Sequence, residues 1–167
     1  NLTLSKETLG LNGNGIDKDE MARDLIIKVD GILKNHSGVG MKKLELNLHC
    51  CSKVDRCYLN SWLPIAFRAG IEELTMLLSL ISEAEYNFPC SLLFSGSKKS
   101  IRYLELSSCV FRPTAELDCW RRLKELWLTN VLITDDELEC LLSDSSMLEL
   151  LWLFRCNEIV RVKIPCQ

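Results

Sequence analysis

The residues best equipped for chemistry in this sequence are its cysteines, nine among 167 residues, and its two histidines. His49, Cys50, Cys51 and Cys57 lie close enough in sequence to suggest a metal centre. A structural zinc site takes spaced ligand pairs that converge on one tetrahedral ion. Adjacent cysteines are poor ligands for one centre, no Cys-x-x-Cys occurs, and no second ligand pair is found further along. An odd count with irregular spacing fits a disulfide framework equally badly. The expectation is therefore free, buried thiols in a reducing compartment, the cytoplasm or nucleus, with no metal and no cofactor. The sequons at Asn1 and Asn35 would stay unmodified there.

Acid/base chemistry has one candidate, the carboxylates of Asp135, Asp136 and Glu137. No histidine stands near them in the pattern. Thr134 ahead of them and Glu137 three residues later make a capping box, a way to open a helix. No phosphate loop, Gly-x-Ser-x-Gly or His-Glu-x-x-His occurs, and neither histidine has an orienting partner for Cys–His catalysis. The chain reads as a binding protein and not as an enzyme.

Charge narrows the partners. A net charge of -3 gives no electrostatic case for nucleic acid or an anionic membrane. Lys98 with Lys99, and Arg121 with Arg122 and Lys124, are short runs expected to be solvated turns. Polar residues break every apolar run well short of the ~18 residues that read as a membrane span. No basic start leading into an apolar stretch marks a leader. Because residue 1 is Asn, the sequence reads as a fragment or processed chain.

What must position any binding residues is a repeat. Segments 41–48, 71–78, 101–109, 123–131 and 148–156 share an apolar-x-x-Leu-x-apolar template. Their central residues, Leu44, Leu74, Leu104, Leu126 and Leu151, succeed one another at intervals of 30, 30, 22 and 25 residues. That is close to the leucine-rich-repeat period of about 20–29. A Leu-x-Leu alternation makes a short strand with one apolar face. One strand cannot bury that face alone, but stacked copies can, as a parallel sheet with a continuous core. A worn sixth copy is expected over 159–164. Cys109, Val131 and Cys156 fall at one repeat position, after the strand, as core residues of the turn.

The predicted architecture is α/β: a leucine-rich-repeat solenoid with a short parallel sheet of five to six strands, near 42–48, 72–78, 102–107, 124–129, 149–154 and 160–164. Short helices and irregular returns lie on its convex side. Residues 1–16 form an N-terminal segment and linker, with Leu2 to Leu4 as one more possible strand. Residues 17–38 form a helix that caps the N-terminal end, started by Asp17 and Glu20 and built on Met21, Ala22, Leu25, Ile26, Val29, Ile32 and Leu33. The repeats fill 39–167. The first return suggests a helix capped by Ser61, with Pro64 in its first turn and Gly70 after its end. Thr134 opens another, apolar at Leu138, Leu141 and Leu142. Pro89 and Pro113 predict irregular backbone in the second and third returns.

Residues between the leucines point outward on the concave face. One row holds Glu45, Thr75, Glu105, Trp127 and Trp152, and the next Asn47, Leu77, Ser107, Thr129 and Phe154. Trp127, Trp152 and Phe154, with Thr129, Glu105 and the flanking Tyr103 and Glu125, form the candidate binding site. Such aromatics serve either as an interaction hot spot or as core under a C-terminal extension.

The run Val-Asp-Gly-Ile-Leu-Lys-Asn-His-Ser-Gly over 29–38, with Met41 to Leu44, resembles the start of the repeat region in plant F-box/LRR proteins, especially those of grasses. So do residues 55–62 with Ala66 after them, the Tyr-Asn-Phe-Pro run at 86–89, and residues 123–126, 133–138, 141–143 and 148–149. The likeness runs from Asn1 to about Ile164, loose motif by motif but ordered and spaced alike. The stretch from Asn1 to Leu4 resembles the segment just after the F-box in that family, and the F-box itself is not in this sequence. The resemblance implies a substrate-recognition domain of an SCF-type ubiquitin ligase. Its protein substrate or regulator would bind the repeats. The Skp-type adaptor and cullin would be reached only through the missing F-box. The alternative is a stand-alone truncated repeat protein, a decoy or regulator without a ligase link.

Overall fold

Among the described residues six strands, five with a Leu-x-Leu alternation and one with Leu74-x-Met76, pair in parallel in their order along the chain. They are β1 (Leu2–Leu4), β2 (Lys43–Asn47), β3 (Glu73–Leu77), β4 (Tyr103–Ser107), β5 (Glu125–Thr129) and β6 (Leu150–Phe154). Among the described residues three helices lie in the returns: α1 (Lys18–Asn35), α2 (Arg56–Ala69) and α3 (Asp135–Asp144), with a 3-10 turn at Cys90–Leu93. This computed structural model describes residues 1–11, 17–36, 40–51, 54–79, 86–93, 101–113 and 120–163. Most of the linker over 10–16, the pair Lys98 and Lys99, and Ile164 fall outside them.

The repeat leucines meet in register. Leu2, Leu44, Leu74, Leu104, Leu126 and Leu151 make one row, and Leu4, Leu46, Met76, Leu106, Leu128 and Leu153 the next. From β2 to β5 these two rows are fully buried. The architecture is a leucine-rich-repeat solenoid, with strand bounds about a residue tighter than the template.

The turn after β4, β5 and β6 repeats too. Ser108, Asn130 and Arg155 occupy one repeat position and all take left-handed backbone, with φ of 54°, 53° and 56°. That turn drives the next residue inward: Cys109 and Val131 are buried, and Cys156, half-buried, directs its Sγ to the Leu128 carbonyl at 3.6 Å. Burial pushes both thiols up.

The sixth strand is at the other end from the one the repeat suggests. Leu2–Leu4 pairs with β2, whereas residues 160–163 form no strand. The backbone N–H groups of Val160 and Arg161 donate instead to Asp135 at 2.8 and 3.1 Å. The chain is thereby turned toward the start of α3 and away from the open edge of β6. Since α1 connects β1 to β2, it stands first in the convex layer, next to α2, and β1 forms the sheet's own edge.

Helix α2 also starts earlier than its proline suggests. Asp55 caps it by accepting the Cys57 N–H at 2.8 Å, so Ser61 and Pro64 lie inside the helix. Gly70 closes it at φ 73°, a conformation that glycine takes without steric cost. Trp62 of α2 donates its indole N–H to Asp30 of α1 at 3.0 Å, tying the two helices. The helix at Thr134 has the full reciprocal capping box, with Leu138, Leu141 and Leu142 buried. The proline-containing returns are irregular where described. An edge-to-face run of Phe67, Phe88, Phe111 and Trp120, at centroid spacings of 6.5, 5.8 and 5.7 Å, links them.

Candidate functional site

The parallel register sets the concave face in three rows. Lys43, Glu73, Tyr103, Glu125 and Leu150 form the first. Thr3, Glu45, Thr75, Glu105, Trp127 and Trp152 form the second. Asn47, Leu77, Ser107, Thr129 and Phe154 form the third. All seven candidate residues therefore stand on one face, at the β4–β6 end.

The aromatic end is open among the described residues. Trp152 is 51% exposed and Phe154 48%, while Trp127 is half-buried beside them. The rings of Trp127 and Trp152 lie 5.5 Å apart at 32°. Trp127 donates its indole N–H to Glu125 at 3.2 Å, which fixes the ring's tilt. The Arg155 guanidinium covers Phe154 at 5.2 Å from the ring centroid. Leu150 extends the patch into the first row. Its position comes from the same template, one residue before Leu151. Arg155 could be placed only through the left-handed turn that aims it.

The middle of the face is polar. Glu105 accepts from the Tyr103 hydroxyl at 2.8 Å and from the Thr75 hydroxyl at 3.2 Å. Burial, then the hydrogen bond to Glu105 and the nearby Glu105 and Glu125 charges, push the Tyr103 phenol above its ordinary range. It is a hydrogen-bond donor at any physiological pH. Further along, Lys43 pairs with Glu45 and Glu73 at 3.7 and 3.8 Å. Ser107 is buried, with its hydroxyl on the Leu78 carbonyl, and contributes little to the surface.

The other chemical candidates disperse. The Cys50 and Cys51 sulfurs are 3.9 Å apart, and Cys51 is buried, its thiol pushed up to about 12 chiefly by burial. Cys57 is exposed at the start of α2. His49 and Cys50 line an open cleft of about 550 Å³ together with Lys6, Asp19, Met21 and Asn47, a mixture of charges without a common focus. Among the described residues no group of three or more His, Cys, Asp or Glu side chains could hold a metal ion. Asp135, Asp136 and Glu137 open α3, as a capping role requires. No helix among those residues is long and apolar enough to cross a membrane.

Comparison with known proteins points the same way. The chain is 30% identical over 144 residues to the F-box/FBD/LRR-repeat protein At1g13570 of Arabidopsis thaliana. The match takes in 86% of this chain and 32% of that protein, so the chain spans about a third of its relative's length. No solved structure gives a significant match. A family model described as the At1g61320/AtMIF1 LRR domain matches residues 32–167, the greater part of the chain and nearly all of its sheet. The chain belongs to this family of leucine-rich-repeat domains.

Proposed function

We propose that this repeat domain recognises a protein substrate for an SCF-type F-box ubiquitin ligase, in the cytoplasm or nucleus, and that it does so with the β4–β6 end of its concave face. The observation that carries the reading is the pair Trp127 and Trp152, whose rings meet at 5.5 Å on the concave face with Trp152 half exposed. Aromatic side chains on a preorganised surface lose little entropy on binding and dominate interface energetics. The ligase link is supported by the F-box in the name of the Arabidopsis relative. In this reading the domain performs no covalent step. It holds the substrate where a ligase can reach it, raising the effective concentration of the acceptor.

The test is a pull-down from plant extract, with and without the parent sequence upstream of Asn1, probed for the Skp-type adaptor and cullin. Recovery of adaptor only with the upstream segment supports the ligase role. Absence of adaptor in both arms contradicts it and leaves a repeat-based binding protein.

A further inference from the structure

The carboxylates on the concave face are not equivalent. Glu45 and Glu73 share Lys43, whereas among the described residues Glu105 and Glu125 have no cationic partner. These two hold only neutral donors, Tyr103 and Thr75 on Glu105 and Trp127 on Glu125. They also sit directly against the aromatic patch, since Glu105 is the register partner of Trp127 and Glu125 that of Leu150. Arg155 lies over Phe154 in the third row, across the face from Glu125, and Lys124, next to Glu125 in the chain, pairs with Glu149. The site therefore offers two uncompensated carboxylates on one side and exposed indole on the other.

We propose that the concave face binds an extended segment of a partner protein carrying an arginine two residues from a bulky apolar side chain, the arginine over Glu105 and Glu125 and the apolar group on Trp152 and Phe154. This rests on the concave-face reading above and names its partner's chemistry. Glu105 on β4 and Trp152 on β6 stand two strand spacings apart, ~9.6 Å; alternate side chains of an extended segment crossing the strands supply ~6.6 Å of that, and the length of the arginine side chain supplies the rest. Arginine fits better than lysine, because a guanidinium can fork a carboxylate while its plane lies on an indole. The fixed Glu105 and Glu125 side chains lose little freedom on pairing.

The test uses the whole 167-residue chain and three capped peptides in a Ser/Gly background, bearing Arg-Ser-Leu, Glu-Ser-Leu or Arg-Ser-Ser, with affinity read by calorimetry. The Arg-Ser-Leu peptide is expected to bind roughly tenfold tighter than the Glu-Ser-Leu peptide, and the gap should narrow with salt. Glu105→Gln with Glu125→Gln should close the gap. Glu45→Gln with Glu73→Gln, whose charges Lys43 already meets, should leave it open. The idea is overturned by equal or tighter binding of the Glu-Ser-Leu peptide, by a gap that survives the first double variant, or by no binding of Arg-Ser-Leu. If charge makes no difference while capture of extract proteins still depends on Trp127 and Trp152, this proposal falls and the concave-face reading stands. If capture ignores the two tryptophans as well, both fall.

Discussion

Trp127 and Trp152 are register partners on neighbouring parallel strands, and their rings lie 5.5 Å apart at 32° on the concave face. The two are not equally committed to the fold. Trp152 is half exposed, so its replacement by alanine is expected to leave thermal stability nearly unchanged. Trp120, almost wholly buried against Phe111, should lose about 3–5 kcal/mol on the same change. Thermal melts of Trp152→Ala and Trp120→Ala compare them. A large loss at Trp152 would mean that its ring is core.

Ser108 takes φ 54°, and its buried hydroxyl has no partner among the described residues. Left-handed backbone costs a non-glycine residue about 1–2 kcal/mol, and the unpartnered hydroxyl adds to that. Ser108→Gly removes both, against the greater freedom of glycine in the unfolded chain. A net gain of about 0.5–1 kcal/mol is expected in urea unfolding. Ser108→Ala, which removes only the hydroxyl, should gain less.

The capping box ties α3 to the rest of the stack. Glu137 accepts from the Thr134 backbone and hydroxyl at 2.9 Å each, and from Arg112 of the preceding return at 2.8 Å. Arg112 also reaches Glu158 beyond β6 at 3.2 Å, joining three levels of the solenoid. Burial pushes the Glu137 carboxyl up, but these hydrogen bonds together hold it below its ordinary 4.5. A carboxyl lowered by folding adds stability that is present above its ordinary value and lost as pH falls through its folded value. Unfolding measured between neutral and acid pH should show that loss, smaller in Glu137→Gln. Thr134→Ala should cost about 1 kcal/mol at neutral pH.

Thiol accessibility gives a check on the repeat turns. Cys57 is exposed, whereas Cys109 is buried and its thiol is pushed well up by burial. Maleimide labelling of the native chain, resolved by peptide mass, is expected to mark Cys57 and to reach Cys109 only on unfolding. Native labelling of Cys109 at a comparable rate would contradict its place in the core.

The rows of the sheet were legible because a two-residue alternation repeated in register leaves little freedom in how strands stack. Leu44, Leu74, Leu104, Leu126 and Leu151 predict one another, and the residues between them are thereby placed on the concave face. The returns were harder. Ser61 and Pro64 suggested a helix start, yet Asp55, an equally good cap, sits nine residues before Pro64, and the packing of Leu59, Trp62 and Leu63 extends the helix back to it. The apolar residues at 159–164 imitate a strand, but nothing local to that segment weighs its pairing against the Asp135 contacts that take its backbone. Phe88 and Phe111 each follow a residue of the bridged pair Asn87 and Val110 and so keep the repeat spacing, but Trp120 lies in the same return as Phe111 and off that spacing, so the run could not be read from the repeat alone.

The measurement that tests the binding face most directly is capture from plant extract by the wild-type chain, by Trp127→Ser with Trp152→Ser, and by Ile27→Ser. Ile27 is 66% exposed on α1, away from the concave rows. The account predicts that proteins held by the wild-type chain are lost by the double tryptophan variant and kept by Ile27→Ser, with all three chains folded by circular dichroism. Capture retained without the two tryptophans and lost with Ile27 would place recognition on the convex side and contradict it.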